Sequence, residues 1–188
     1  MEIIAFFQQQ FALHGIGWMI GQGLGIVAIV LGFISYQVRT QRQLLFVQSA
    51  VSVVFCIHYC LIGAYSAMAM NSICIIRNIA YNHRTQKGIE NKLVPLGFVI
   101  IQAIMCFLTW EAWYSIFVLL GLGINTYCMS FSNPQNVRKS ILVTSPLVLI
   151  YDVFARSIGG SIYESIAVIS AAIGILRYRR SKSDIEHV

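Results

Sequence analysis

Seven stretches of this chain are long and apolar enough to cross a lipid bilayer, and that pattern limits the fold more than any motif does. A spanning helix needs roughly 20 apolar residues, and the stretches fall at about 16–36, 44–63, 66–81, 93–109, 113–131, 141–158 and 161–176. The third and seventh are short and are expected to stand nearly upright or to sit where the bilayer thins. Strands are a poor alternative, because the segments are long and lack the period-two alternation of a membrane barrel. Only 11% of the residues are charged, where a soluble domain carries about a quarter. A globule of this composition could not cover itself with solvated groups, whereas a bilayer removes that need. The expected fold is therefore all-α and polytopic. Glu2 stands where a signal peptide would be basic, and Gln8, Gln9 and Gln10 interrupt any apolar core. Residues 1–15 are thus expected to form an interfacial segment rather than a cleavable signal.

The basic residues set an orientation. Of the 13 Lys and Arg residues, Arg156 alone falls on one side of the expected membrane. Arg39, Arg42, Arg77, Arg84, Lys87, Lys92, Arg138, Lys139, Arg177, Arg179, Arg180 and Lys182 all fall on the other. By the positive-inside rule the N-terminus is outside and the C-terminus inside. A net charge of +6 is accounted for by basic loops next to anionic lipid. It calls for no nucleic-acid partner.

The chain also repeats itself. GLGIVAIVLGFISYQ, from Gly23 to Gln37, and GLGINTYCMSFSNPQ, from Gly121 to Gln135, share Gly, Leu, Gly, Ile, a Phe and a final Gln without a gap. Each lies at the exit of a span and is followed by basic residues, a second span, a turn with Gly63 or with Gly159 and Gly160, and a short third span. The reading is a 3+1+3 arrangement: a first three-helix repeat over 16–92, a linker helix over 93–109, a second repeat over 113–180 and a tail over 181–188. The single crossing of the linker gives both triplets the same orientation, a parallel repeat common among transporters.

Pro134-Gln135 after the first helix of a triplet, within a 3+1+3 order, resembles the PQ-loop superfamily of SWEET-like membrane transporters. ISYQ at Ile34–Gln37, His58-Tyr59, Gly63-Ala64, Asn71, Arg77-Asn78 and Tyr81 are similar to the bacterial YgjV-type inner-membrane proteins. These resemblances imply a multi-pass protein of the bacterial inner membrane and a triple-helix-bundle fold. The PQ-loop resemblance adds alternating access, with prolines as hinges. The first triplet has Tyr36-Gln37 where the motif has Pro-Gln, so only Pro134 matches it. Pro146 is a further bend outside the motif.

Polar side chains at bilayer depth are costly and tend to be functional or paired. Asn71 and Asn78 share a face of the third span, Asn125 lies in the fifth and Tyr59 in the second. Their donors and acceptors suit a neutral polar solute, or equally hold helices together. Asp152 and Arg156 stand four apart, and folding the chain about Gly159-Gly160 brings Arg156 opposite Glu164. A paired charge cluster at the outer rim is the favoured reading, with Asp152 or Glu164 as a proton carrier the other. Arg77 reads as a side chain snorkelling to the inner interface.

Gly17, Gly21 and Gly25 form a small-residue face for close helix contact, within the triplet or with a second copy of the chain. Trp18, Trp110, Trp113 and Tyr114 map to an outer aromatic belt. Cys56 and His58 point to nearly opposite sides of a helix, so no metal site is expected with Cys60; His58 is expected to be hydrogen-bonded, with pH sensitivity as the other reading. Gly21-Gln22-Gly23-Leu24-Gly25 follows no strand and fails as a nucleotide loop. With no cofactor motif and no nucleophile–base set, an enzyme is not expected. The leading expectation is a small solute transporter; the alternative is a membrane receptor, regulator or assembly factor with the same fold.

Overall fold

A computed structural model describes the backbone of residues 2–38, 40–87, 93–131 and 134–186, and side chains within 15–35, 38, 40–85, 93–131 and 139–173. Among the described residues the chain forms seven helices: α1 (Glu2–Gln37), α2 (Gln41–Ile62), α3 (Tyr65–Lys87), α4 (Leu93–Leu108), α5 (Ser115–Cys128), α6 (Pro134–Phe154) and α7 (Ile158–Glu186). By length and composition, Gly15–Ser35 and Gln41–Ile62 can cross a membrane; Leu93–Leu108, Ser115–Cys128 and Ile158–Ile173 are shorter apolar helices. The apolar runs underestimate α3 and α7, because helical hydrogen bonding continues past the point where the sequence turns polar. Gly15 (φ 77°, ψ −178°) breaks α1 where the interfacial segment was expected to end.

Local chemistry fixes the helix ends. Thr40 caps α2, its hydroxyl accepting from the amide of Gln43 at 3.3 Å. Gly63 ends α2 in the left-handed conformation (φ 81°) that spares it a Cβ clash. The next turn is not where the sequence suggested. The reversal lies at residues 155–157, with Arg156 at φ 55°, while Gly159 and Gly160 already belong to α7. Pro134 likewise opens α6, where a missing amide donor costs nothing. It does not end the preceding helix: α5 stops at Cys128 and leaves through tight turns, Met129 N to Asn125 O at 2.8 Å and Phe131 N to Cys128 O at 3.3 Å. The side chains of Gln37, Pro134 and Gln135 lie outside the described residues. Pro146 sits inside α6.

The helices pack as a ring in the order α1, α2, α3, α5, α6, α7 and back to α1, with α4 against α3 and α5. The order is unchanged when α1–α3 are exchanged with α5–α7. The matched glycines, however, serve different contacts. Gly23 meets nothing, whereas a Cβ on Gly121 would stand 2.6 Å from Val148 of α6.

Polarity runs inside out. Phe46, Ile79, Leu93, Phe107, Leu108 and Ile169 are exposed, while Gln22, His58, Arg77, Asn78, Gln102, Thr126 and Asp152 are buried. An apolar exterior of this extent is unfit for water and fits hydrocarbon. Trp110 and Trp113 are exposed, as a belt requires, but Trp18 is buried and does not belong to it.

Candidate functional site

The ring encloses a cavity of about 60 Å³, lined from α2, α3, α5, α6 and α7. Water needs about 10–15 Å³ of such space per molecule, so in this conformation the cavity accommodates a few small molecules and not a sugar. Apolar packing flanks it. Phe55, Tyr59, Val118 and Tyr163 belong to one core cluster, and Met129 and Ile141 to another.

Three of the four residues expected to bind solute, Tyr59, Asn71 and Asn125, line this cavity. Asn71 donates to the carbonyl of Ala67 in its own helix at 2.9 Å. The Oδ1 of Asn125 is buried without a partner. Asn78 is held differently: its Oδ1 accepts from Arg77 Nε at 3.0 Å and Nη2 at 2.8 Å.

Arg77 overturns its sequence reading. It is only 2% exposed and lines the cavity. With α3 continuing ten residues further, to Lys87, the guanidinium does not extend along the helix towards its end. It turns inward, and Nη1 donates to Thr126 Oγ1 at 2.7 Å. Thr126 in turn donates to Gln102 Oε1 of α4 at 2.8 Å, and Tyr81 donates to the Thr126 carbonyl at 3.0 Å. This network of buried polar groups ties α3, α4 and α5 together.

The expected charge cluster does not form. Asp152 is fully buried and accepts from the Tyr59 hydroxyl at 2.7 Å. Glu164 reaches the Ser145 side chain. Arg156 is exposed and pairs with neither; it lies in the turn itself, and its carbonyl accepts from Gln22 Nε2 at 3.0 Å. A non-glycine residue held at positive φ is strained by about 1 kcal/mol. Arg156→Gly is therefore expected to raise thermal stability by up to about 1 kcal/mol. A melt showing clear destabilisation would mean that the side chain does carry an ion pair.

The sequence reading missed Gln22 and Glu111. Gln22 is the single strongly polar side chain between Gly17 and Ile34, and that isolation was the available signal. Its Oε1 accepts from the amides of Ile158 at 3.0 Å and Gly159 at 3.2 Å. Ser157 completes the cap of α7, accepting from Gly160 N at 3.1 Å. His58 is buried between Gly21 O at 2.6 Å and Ser157 Oγ at 2.8 Å. A carbonyl only accepts, so Nδ1 carries a proton and donates to Gly21 O, while Nε2 and the Ser157 hydroxyl share the second bond. Cys56 turns away to Ser72 at 3.1 Å. In the loop after α4, Glu111 accepts from Ser66 N at 2.7 Å and is 3.3 Å from the Tyr151 hydroxyl. Burial pushes its carboxyl above the usual range, against the pull of these donors. The loop thereby joins α3 to α6 across the ring.

A family model described as a bacterial inner membrane protein, Imp-YgjV, matches residues 19–182. The inner membrane protein YgjV of Escherichia coli (strain K12) is 22% identical over 163 residues, which cover 87% of this chain and 86% of that protein. No solved structure matches the chain.

Proposed function

Because the chain belongs to the Imp-YgjV family of bacterial inner membrane proteins, we propose that it is a multi-pass transporter moving a small polar solute by alternating access. In this reading all seven helices cross the bilayer as 3+1+3, with the N-terminus outside and the C-terminus inside, in the manner of the PQ-loop transporters. It performs no covalent chemistry. The observation that carries the reading is the cavity: its lining comes from α2 and α3 on one side and from α5, α6 and α7 on the other. Rocking of one triplet against the other would open such a site to alternate faces. The exchange symmetry of the helix order supports two equivalent units.

Uptake into liposomes, across sugars, amino acids, vitamins and organic acids, tests the proposal. One chemical class is expected to enter. Asn71→Ala is expected to reduce that uptake about tenfold or more, the equivalent of a lost hydrogen bond of about 1.4 kcal/mol, while the variant keeps its fold. Normal uptake by the variant would remove Asn71 from the site. The small cavity favours a second reading, a non-transporting receptor, regulator or assembly factor. No uptake of any class, with a stoichiometric partner chain co-purifying, would establish that reading instead.

A further inference from the structure

Arg77 makes four recorded hydrogen bonds, and every acceptor is neutral. Two go to Asn78 Oδ1, one to Thr126 Oγ1 and one, at 3.3 Å, to the thioether of Met129. Among the described residues no carboxylate pairs with it. A guanidinium withdrawn from water without a counter-charge is one of the costliest groups a membrane protein can hold. Asp152 accepts from the Tyr59 hydroxyl. Glu164 lines the same cavity as Arg77, but its carboxylate reaches the Ser145 side chain rather than the guanidinium.

One edge of the guanidinium is only weakly satisfied. Nε and one Nη2 hydrogen are taken by Asn78. The other bond from Nη2 goes to sulfur, a weak acceptor, and Nη1 has two hydrogens but one recorded acceptor, Thr126. The Nη1–Nη2 edge is the fork that grips a planar oxyanion through two parallel bonds. A second buried group beside Arg77 is also incomplete. Asn78 is 1% exposed and does not line the cavity, and its Nδ2 has no hydrogen-bond acceptor although its Oδ1 accepts twice from Arg77. A buried donor left unmade calls for an acceptor.

We propose that Arg77 is the counter-charge for a small, singly charged oxyanion taken into the cavity it lines. One guanidinium balances one negative charge, and about 60 Å³ admits a group of a few heavy atoms, the size of acetate or nitrate. The inference deepens the transport reading by giving its solute a charge, and binding is measured independently of transport.

The test uses the full chain in mild detergent, with melting temperature followed against acetate, formate, nitrate and phosphate at constant ionic strength. Acetamide is the neutral match for acetate. A saturable upward shift with acetate or nitrate, absent with acetamide, is the expected result. A shift confined to acetate and formate identifies a carboxylate, and one confined to nitrate identifies an inorganic oxyanion; a shift with phosphate alone would overturn the assignment of a singly charged planar ligand. Arg77→Gln should lose the shift, but it removes a buried network and is at risk of not folding. Asn78→Asp is the decisive variant. It places a carboxylate of the same shape against Arg77, so it should melt above the wild type and no longer respond to anions. An anion response undiminished in Asn78→Asp would overturn the proposal. So would stabilisation by acetamide equal to that by acetate, an outcome that leaves transport of a neutral solute standing. No response to any anion would also overturn it, whatever the uptake panel shows.

Discussion

Gly25→Ala will push α1 and α7 apart. The two helices cross backbone on backbone at Gly25 and Gly159. A Cβ on Gly159 would stand 2.5 Å from Gly25 Cα, and one on Gly25 would run into the backbone of Gly159. No rotamer relieves a clash with main chain, so a helix must move. Overpacking of this kind costs about 1–3 kcal/mol and more where nothing yields. For a chain of this size that is a fall of about 2–4 °C per kcal/mol, and Gly25→Val should lie beyond the upper end. Gly17, two turns earlier on the same stripe, meets nothing within 4 Å. Gly17→Ala is expected to change stability by no more than about 0.5 kcal/mol. Melting curves of both variants separate two uses of the stripe. A large loss at Gly17 equal to that at Gly25 would mean that the stripe works between copies of the chain rather than within one.

Gln22→Met will weaken the same seam by a different route. The exchange conserves length and volume, so it makes no cavity. It strips the acceptor from the amides of Ile158 and Gly159 and the donor from the carbonyl of Arg156. The first amides of α7 then have no partner inside their helix. Each buried group left unmade costs about 1–3 kcal/mol, and the three together should cost about 3 kcal/mol or more. The measurement is again a melt, with hydrogen exchange at Ile158 and Gly159 as a local readout. A variant that melts like the wild type with both amides still protected would mean that other groups cap α7.

That the described residues are all helical was legible, because long apolar runs without period-two alternation are linear properties of a sequence. Five of the seven helices begin or end close to their apolar runs. The burial of Arg77 was not legible, because an apolar run says where the sequence turns polar, whereas helical hydrogen bonds carry α3 on to Lys87. The turn before α7 was misplaced because glycine was read as a turn former. Gly159 and Gly160 are instead selected for absent side chains, Gly159 against Gly25 and Gly160 against Asp152 and Ser157. The turn falls on Arg156, a residue that no propensity argument would choose. The charge cluster failed for the same reason, since its geometry was drawn about the wrong pivot. Tyr59, Asn71 and Asn125 come to line the cavity, and they were legible as candidates because polar atoms stand out against an apolar background. Gln22 stood out equally, but its partners lie 134 to 137 residues away.

That separation has a consequence for biogenesis. A ribosome delivers α1 first and α7 last, so Gln22 enters the membrane long before the groups it will bond exist. Until then its amide must be held by water, lipid headgroups or a helper protein, and the ring remains an open arc with a polar notch in its leading edge. Closure is a late, long-range event, and the step most exposed to failure is the arrival of the final helix rather than the insertion of any single one. A chain cut in the segment between α3 and α4, and expressed as two pieces, would meet the same requirement from both sides at once.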